Sequence, residues 1–185
     1  MQGRGIFPEF MRSENPGMDE WVSVDYHGHP QNGNGAYYRL APCLSSESYR
    51  DYMVSIIRDS VRVAGLDGIH MDNSYYTHCW CPRCQRKFRE YLLQRGDLEE
   101  TTGIIDVENV QAPPLARGAH TGVTAFDVED ALQIHWIRFG VQTRYAFFSA
   151  LSKALKEENP EARISSNGQF PRVDLACELR SAINP

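Results

Sequence analysis

Three cysteines lie within six positions of one another, at Cys79, Cys81 and Cys84, and Cys43 lies thirty-six residues before the first of them. Thiolates at this spacing are typical of a structural zinc site, in which four ligands surround the metal and leave no open position for catalysis. Such clustering favours a metal over a secretory disulfide framework. Two other interpretations fit the same residues: His78 replaces Cys43 as the fourth ligand, or the thiols are reduced and bind no metal.

A second group of residues that could do chemistry stands at the ends of predicted strands. Its members are Asp72, Asn73, Ser74, Tyr75, Asn167 and Glu178. Cleavage of a glycosidic bond uses two carboxyl groups, and Asp72 and Glu178 are the candidate catalytic pair. The other four are candidates for substrate binding, through hydrogen bonds to sugar hydroxyls or ring stacking. A plainer alternative is that Asp72 and Asn73 only build a turn and that Glu178 is an exposed acid at a helix start.

The elements that must position these residues alternate between strand and helix. Apolar runs bounded by polar or turn-forming residues predict strands at 21–24, 37–40, Gly68–Met71, Arg163–Ser166 and 173–177. Apolar residues at spacings of three and four predict helices at 46–64, at 82–96 and from Asp127 to Asn159. This alternation indicates a parallel α/β arrangement.

The chain is predicted to be one domain over residues 1–185, with an irregular insertion at 97–127. Its length of 185 residues supports a sizeable core. In a (β/α)₈ barrel the chemistry lies at the carboxyl ends of the strands, where the candidate residues fall. A whole barrel needs roughly 250 residues, so we expect a partial TIM barrel, with a parallel sheet and a long loop insertion.

Composition excludes several classes of protein. The net charge is −5 and no basic run interleaves with aromatic residues, which argues against a nucleic-acid partner. No apolar run approaches the roughly 18 residues that a membrane span requires. No signal peptide is visible at the N-terminus, and the clustered thiols favour a cytoplasmic location. We further expect a carbohydrate partner, and a homo-oligomer is possible.

The segment MDNSYYTHCWCPRCQRKFREYL resembles the fourth-strand region of glycoside hydrolase family 42 β-galactosidases and their barrel relatives. In that family a strand ending in Asn-Glu is followed by a C-x-C-x-x-C segment and a helix. A weaker similarity continues through IHWIRFG and RISSNG, so that the resemblance covers roughly residues 40–170. It implies a fragment containing about strands 3–6 of a (β/α)₈ barrel and lacking both ends.

The resemblance also carries over individual residues. Cys43, Cys79, Cys81 and Cys84 match the four zinc cysteines of the family, and Asn73 matches the Asn before its acid/base. That acid/base Glu is Ser74 here, and a serine cannot protonate a glycosidic oxygen at neutral pH. The implied function is hydrolysis of O-glycosidic bonds of β-galactoside-like substrates, with strand-end carboxylates and a structural zinc. The alternative is a catalytically inactive, zinc-stabilised barrel that binds carbohydrate.

Overall fold

The computed structural model describes residues 8–33, 38–71, 78–117, 124–125 and 130–166. Its helices are α1 (Pro8–Glu14), α2 (Glu47–Arg62), α3 (Pro82–Leu93), α4 (Leu98–Thr102) and α5 (Ala131–Glu158), and a 3₁₀ turn covers Met18–Trp21. Its strands are β1 (Gly68–Met71), β2 (Ala116–Arg117), β3 (Thr124–Ala125) and β4 (Arg163–Ser166).

The centre of the fold is a parallel pair of strands, β1 and β4, both of which were predicted. The register runs from Gly68 opposite Arg163 to Met71 opposite Ser166. Each strand directly follows a helix, α2 before β1 and α5 before β4. The strands approach closely at Gly68, where an added Cβ would lie 2.6 Å from the Arg163 carbonyl oxygen. Two consecutive helix-to-strand steps therefore place their strands side by side, as a barrel wall requires.

Helix α2 forms where the apolar spacing predicts it. The Ser46 hydroxyl caps it by accepting a hydrogen bond from the Tyr49 backbone N–H at 3.4 Å. Tyr49, Met53 and Ile57 are buried along one face. Beyond its end, Gly65 has a φ of +63°, a conformation that glycine adopts without steric cost. This local chemistry turns the chain from α2 into β1.

Helix α5 is continuous over 28 residues and serves two hydrophobic cores. Its second half packs with α2, β1 and β4, and Phe147 stacks on Tyr49 with ring centroids 5.7 Å apart. Its first half packs against α3 and the cysteine segment, through Trp136 and Phe139. Because both halves are anchored, Gly140 lies inside an unbroken helix.

The start of α5 differs from the prediction. We predicted that Asp127 caps this helix, and Asp127 lies outside the described residues. The N-cap is Asp130, whose carboxylate accepts hydrogen bonds from the backbone N–H groups of Leu132 at 2.9 Å and Gln133 at 3.1 Å. A side-chain oxygen that satisfies two free N–H groups explains why the helix begins there.

Two predicted strands near the N-terminus are wrong. Trp21 ends the 3₁₀ turn, and Val22 and Val24 make only isolated bridges, to Pro42 and Pro30. The backbone of this segment divides its hydrogen bonds between two neighbours, since the Ser23 N–H donates to the Ala41 carbonyl while the Ser23 carbonyl accepts from the Gln31 N–H. Neither bridge therefore extends into a ladder. In the predicted strand 37–40, Leu40 likewise makes a single bridge, to Asn32.

The remaining predictions fall on the insertion and on the C-terminal run. The segment expected to be irregular, 97–127, contains α4 and the antiparallel pair of β2 and β3. The predicted strand 173–177 lies outside the described residues. Across the ranges that the structure describes, no helix combines the length and the hydropathy that crossing a bilayer would require.

Candidate metal centre and strand-end site

The structure brings four cysteines together. The sulfur atoms of Cys43, Cys79, Cys81 and Cys84 all lie within 4.8 Å of one another. Cys43 Sγ is 3.4 Å from Cys84 Sγ and 3.9 Å from Cys81 Sγ. Three of the side chains are buried and Cys81 is partly exposed.

Local structure explains this convergence. Cys81 is the N-cap of α3 and Pro82 occupies its first turn, so Cys81 and Cys84 meet across the first turn of a helix. Cys43 belongs to the loop before α2, and its backbone N–H donates to the Trp21 carbonyl at 2.6 Å. These contacts hold Cys43, distant in sequence, against the start of α3.

The segment around Val24 is hydrogen-bonded to the loop that carries the clustered cysteines. The Val24 N–H donates to Cys79 Sγ at 3.4 Å, and its carbonyl accepts from the Trp80 N–H at 3.0 Å. The Gln31 side-chain amide donates to the same carbonyl at 2.8 Å and to the His78 carbonyl at 2.6 Å. A peptide N–H directed at sulfur stabilises a thiolate, but hydrogen bonding to Cys43 and Cys81 raises the pKa of Cys79, so a charged sulfur at Cys79 requires a cation.

The cluster fits a tetrahedral zinc ion. Four sulfurs at the usual Zn–S distance of about 2.3 Å form a tetrahedron with edges of about 3.8 Å, close to the separations found for Cys43. Among the described residues, the group that could hold a metal consists of these four cysteines and does not include His78. The geometry therefore favours Cys43 over His78 as the fourth ligand.

The sulfurs also perturb one another's protonation. Hydrogen bonds from Cys43 and its neighbours hold the pKa of Cys81 far below its usual value. Hydrogen bonding to Cys43 and burial raise the pKa of Cys84. Four sulfurs this close, three of them buried, cannot all carry charge without a cation, and a divalent metal that displaces the protons resolves the conflict.

The candidate residues of the strand-end site, Asp72, Asn73, Ser74, Tyr75, Asn167 and Glu178, lie outside the described residues. The structure does place the strand ends that precede two of them. Met71 and Ser166 are register partners at the ends of β1 and β4, and Asp72 and Asn167 are the next residues in the chain.

Two polar side chains that sequence reasoning did not single out lie on these strands. His70 Nδ1 is 3.0 Å from Ser165 Oγ, across the β1–β4 pair. Ile69 and Met71, which alternate with His70, belong to the core shared with α2 and α5. His70 and Ser165 therefore face away from the helices, on the face that lines the interior of a barrel. The alternation within Gly68–Met71 was the signal that could have found them.

The aromatic residues after β1 pack around the metal loop. Trp80 Nε1 donates to the Ala112 and Pro113 carbonyls at 3.2 and 3.1 Å, and its ring lies 5.6 Å from that of Trp136. His78 is buried, with its ring 5.5 Å from Trp136. Both rings therefore pack the loop that carries the cysteines.

Three other histidines lie outside the two candidate sites. His27 and His29 are exposed, and their backbone N–H groups both donate to the Asp25 carboxylate at 2.9 Å. His135 is buried on α5, with its Nδ1 3.5 Å from the Tyr91 hydroxyl.

Comparison with solved structures defines the fold class. The chain superimposes on a β-galactosidase from Bacillus circulans with a TM-score of 0.64 and 22% identity, over 92% of this chain and 26% of that one. For a catalytic mutant of a family 42 β-galactosidase from G. stearothermophilus, the TM-score is 0.67 and the identity 23%, over 93% of this chain and 25% of that one. The structure is part of a (β/α)₈ barrel, as predicted.

The family follows from sequence. The model of the β-galactosidase family, glycoside hydrolase family 42, matches residues 5–177, and the chain belongs to that family. A β-galactosidase from Thermus sp. is 35% identical over an alignment of 91 residues, which covers 43% of this chain and 13% of that protein. The chain thus spans a small part of this relative and about a quarter of the solved structures. The predicted family resemblance is confirmed.

Proposed function

We propose that this chain acts as part of a glycoside hydrolase that cleaves O-glycosidic bonds in β-galactoside-type carbohydrates. The observation that carries this proposal is the match of the β-galactosidase family over residues 5–177. The relatives named above are β-galactosidases, which supports the same substrate class.

The proposed reacting groups follow the ends of the parallel strands. Met71 and Ser166 are register partners, so β1 and β4 end at the same edge of the sheet, and Asp72 and Asn167 are the next residues in the sequence. In barrels of this class, that edge carries the chemistry. We assign Asp72 an acid/base role, with Glu178 as its partner carboxylate.

Substrate binding is assigned to the polar and aromatic residues beside these acids. Asn73, Ser74 and Asn167 offer hydrogen bonds to sugar hydroxyls, and Tyr75 offers a ring for stacking. His70 and Ser165 lie on the same sheet, on the face away from the helices, and would contribute polar groups to the barrel interior.

A structural zinc belongs to the proposal. Cys43, Cys79, Cys81 and Cys84 would hold it, and their proximity supports this assignment. When bound, the metal supplies a crosslink between the loop before α2 and the start of α3 and takes no part in bond cleavage. Reduced thiols at this site accord with a cytoplasmic location.

A specific residue favours a second candidate function, carbohydrate binding without cleavage. Ser74 stands where the family has its acid/base glutamate, and a hydroxyl cannot serve as a general acid at neutral pH. In this alternative the barrel and its metal site persist as a scaffold that recognises carbohydrate.

The test measures hydrolysis and binding separately. Aryl β-D-galactosides report turnover, and calorimetry with galactose and lactose reports binding. Asp72→Asn should abolish turnover, whereas Asp67→Asn, which changes the acid at the opposite end of β1, should leave it intact. If wild-type turnover is absent and Ser74→Glu creates it, the inactive binder is supported. Equal turnover in wild type and Asp72→Asn would remove Asp72 from the mechanism.

A further inference from the structure

Arg83 is the residue that the cysteine motif encloses, between Cys81 and Cys84. It lies in the first turn of α3, and its side chain is only 22% exposed, compared with 58% for Arg86 one turn later. A guanidinium is rarely covered to this extent without partners for its charge and its N–H groups. The surroundings of Arg83 supply both.

The first set of partners lies on two other segments of the chain. The Arg83 guanidinium donates to the Glu20 carbonyl at 3.3 Å and is 4.0 Å from the Glu20 carboxylate. It is also 3.8 Å from the Glu47 carboxylate, at the first residue of α2. These contacts join the start of α3 to the 3₁₀ turn and to α2.

The second set of partners is the sulfur cluster itself. Burial lowers the pKa of Arg83, but the charges of Cys43 and Cys81 and a hydrogen bond to Cys43 outweigh it and raise the pKa. Arg83 also lies in the same helical turn as Cys81 and Cys84, whose sulfurs meet that of Cys43, so its charge is close to the sulfur cluster as well as to the two carboxylates. Arg86, by contrast, pairs with Glu90 on its own helix at 2.7 Å, with both side chains exposed.

The net charge of the zinc-bound cysteine cluster explains why a nearby cation would stabilise it. Four thiolates around a divalent ion leave a net charge of −2 in a largely buried cluster. The Val24 N–H that donates to Cys79 contributes only a dipole. A full positive charge in the helical turn that carries Cys81 and Cys84 lowers the electrostatic cost of the dianion.

We propose that Arg83 is a positioning residue of the metal site, which balances the charge of the four-thiolate complex and fixes Cys43 against α3. This inference rests on the zinc site proposed above and adds a determinant of its affinity outside the ligand set. The sequence cue is a cation inside the C-x-x-C spacing.

The experiment compares Zn²⁺ affinities of matched variants at one pH, by competition with a chromophoric chelator. Arg83→Gln should weaken Zn²⁺ binding by about tenfold, the lower end of the range for groups that support metal ligands. Arg86→Gln removes the same charge from the same helix and should bind Zn²⁺ within about twofold of wild type, since exposed charges contribute little.

Glu47→Gln separates charge balance from packing. If Arg83 acted only by tying α2 to α3, loss of Glu47 would weaken Zn²⁺ binding as much as loss of Arg83. Charge balance predicts that Glu47→Gln binds Zn²⁺ at least as tightly as wild type, because a negative charge has been removed. The sulfur-to-metal charge-transfer band of the Co²⁺ forms checks that four thiolates still bind.

Each outcome decides a different point. A wild-type protein that binds neither Zn²⁺ nor Co²⁺ overturns the proposed metal site. A wild-type protein that binds Zn²⁺ while Arg83→Gln equals Arg86→Gln overturns only the role of Arg83. If Arg83→Gln does not fold, Arg83→Met against Arg86→Met replaces it, since methionine removes the charge and keeps an apolar stem that can pack. Equal affinities of that pair would then refute the proposal.

Discussion

Removal of metal from the cluster of Cys43, Cys79, Cys81 and Cys84 should lower the thermal stability of this protein by about 8–16 °C. A metal bound to Cys43 and Cys84 closes a loop of 41 residues. In the chain-entropy treatment of crosslinks, closing a loop of that length lowers the entropy of the unfolded chain and so raises its free energy by about 4 kcal/mol. For a protein of this size each kcal/mol corresponds to about 2–4 °C in Tm, which gives the stated range.

The measurement is calorimetric unfolding of zinc-loaded protein before and after removal of the metal with a chelator, with metal content determined on both samples. Cys43→Ser is the matched control, since it removes one ligand and leaves the three clustered cysteines in place. Its Tm should be low and should not respond to the chelator. Wild-type protein that contains one zinc and keeps its Tm when the zinc is withdrawn would refute the reasoning.

Three further changes test the fold. Gly68→Ala should destabilise the protein by about 1–3 kcal/mol in urea unfolding, since the added Cβ would lie 2.6 Å from the Arg163 carbonyl oxygen. The control is Gly96→Ala, whose added Cβ meets nothing within 4 Å and which should be close to neutral. Equal effects of the two changes would contradict the close approach of β1 and β4. Asp130→Ala should lower the free energy of unfolding by about 1 kcal/mol, because it removes the cap of α5. Asp130→Asn retains a capping oxygen and should keep most of that stability. Equal loss of stability in both variants would argue against capping. Burial lowers the pKa of His135, so the unfolded chain binds a proton at higher pH than the folded chain and stability falls as the pH drops below about 6.5. His135→Gln should flatten that fall in urea midpoints measured from pH 7.5 to 5, and an unchanged slope would assign the pH dependence to other groups.

Helix α2 and strand β1 show how much of the fold is local. The apolar spacing from Tyr49 to Ile57, the Ser46 cap and the glycine at position 65 specify a helix, its start and the turn that follows. The short apolar run Gly68–Met71 after that turn specifies a strand. Such features depend on neighbours in sequence, so they could be predicted before any contact was known.

Segment 21–24 shows where local patterns fail. Its alternating residues favour a strand, but a strand exists only if one partner supplies a ladder, and this segment bridges Pro42 at Val22 and a different segment, at Pro30, two residues later. The N-cap of α5 is a similar case, because both Asp127 and Asp130 suit a cap in sequence. Which carboxylate reaches the free N–H groups depends on the path of the chain before the helix.

The spacing of Cys79, Cys81 and Cys84 was sufficient to predict a metal site, because ligands so close in sequence are close in space in any compact conformation. Cys43 is different, since nothing in its own neighbourhood separates it from His78 as the fourth ligand. Its place is decided by the hydrogen bond to Trp21 and by the packing of its loop on α3. The sequence alone shows that Arg83 lies inside the cysteine motif, but its partners Glu20 and Glu47 come from distant segments. Only the tertiary structure could bring both carboxylates to it, because contacts across such separations are set by how the helices pack.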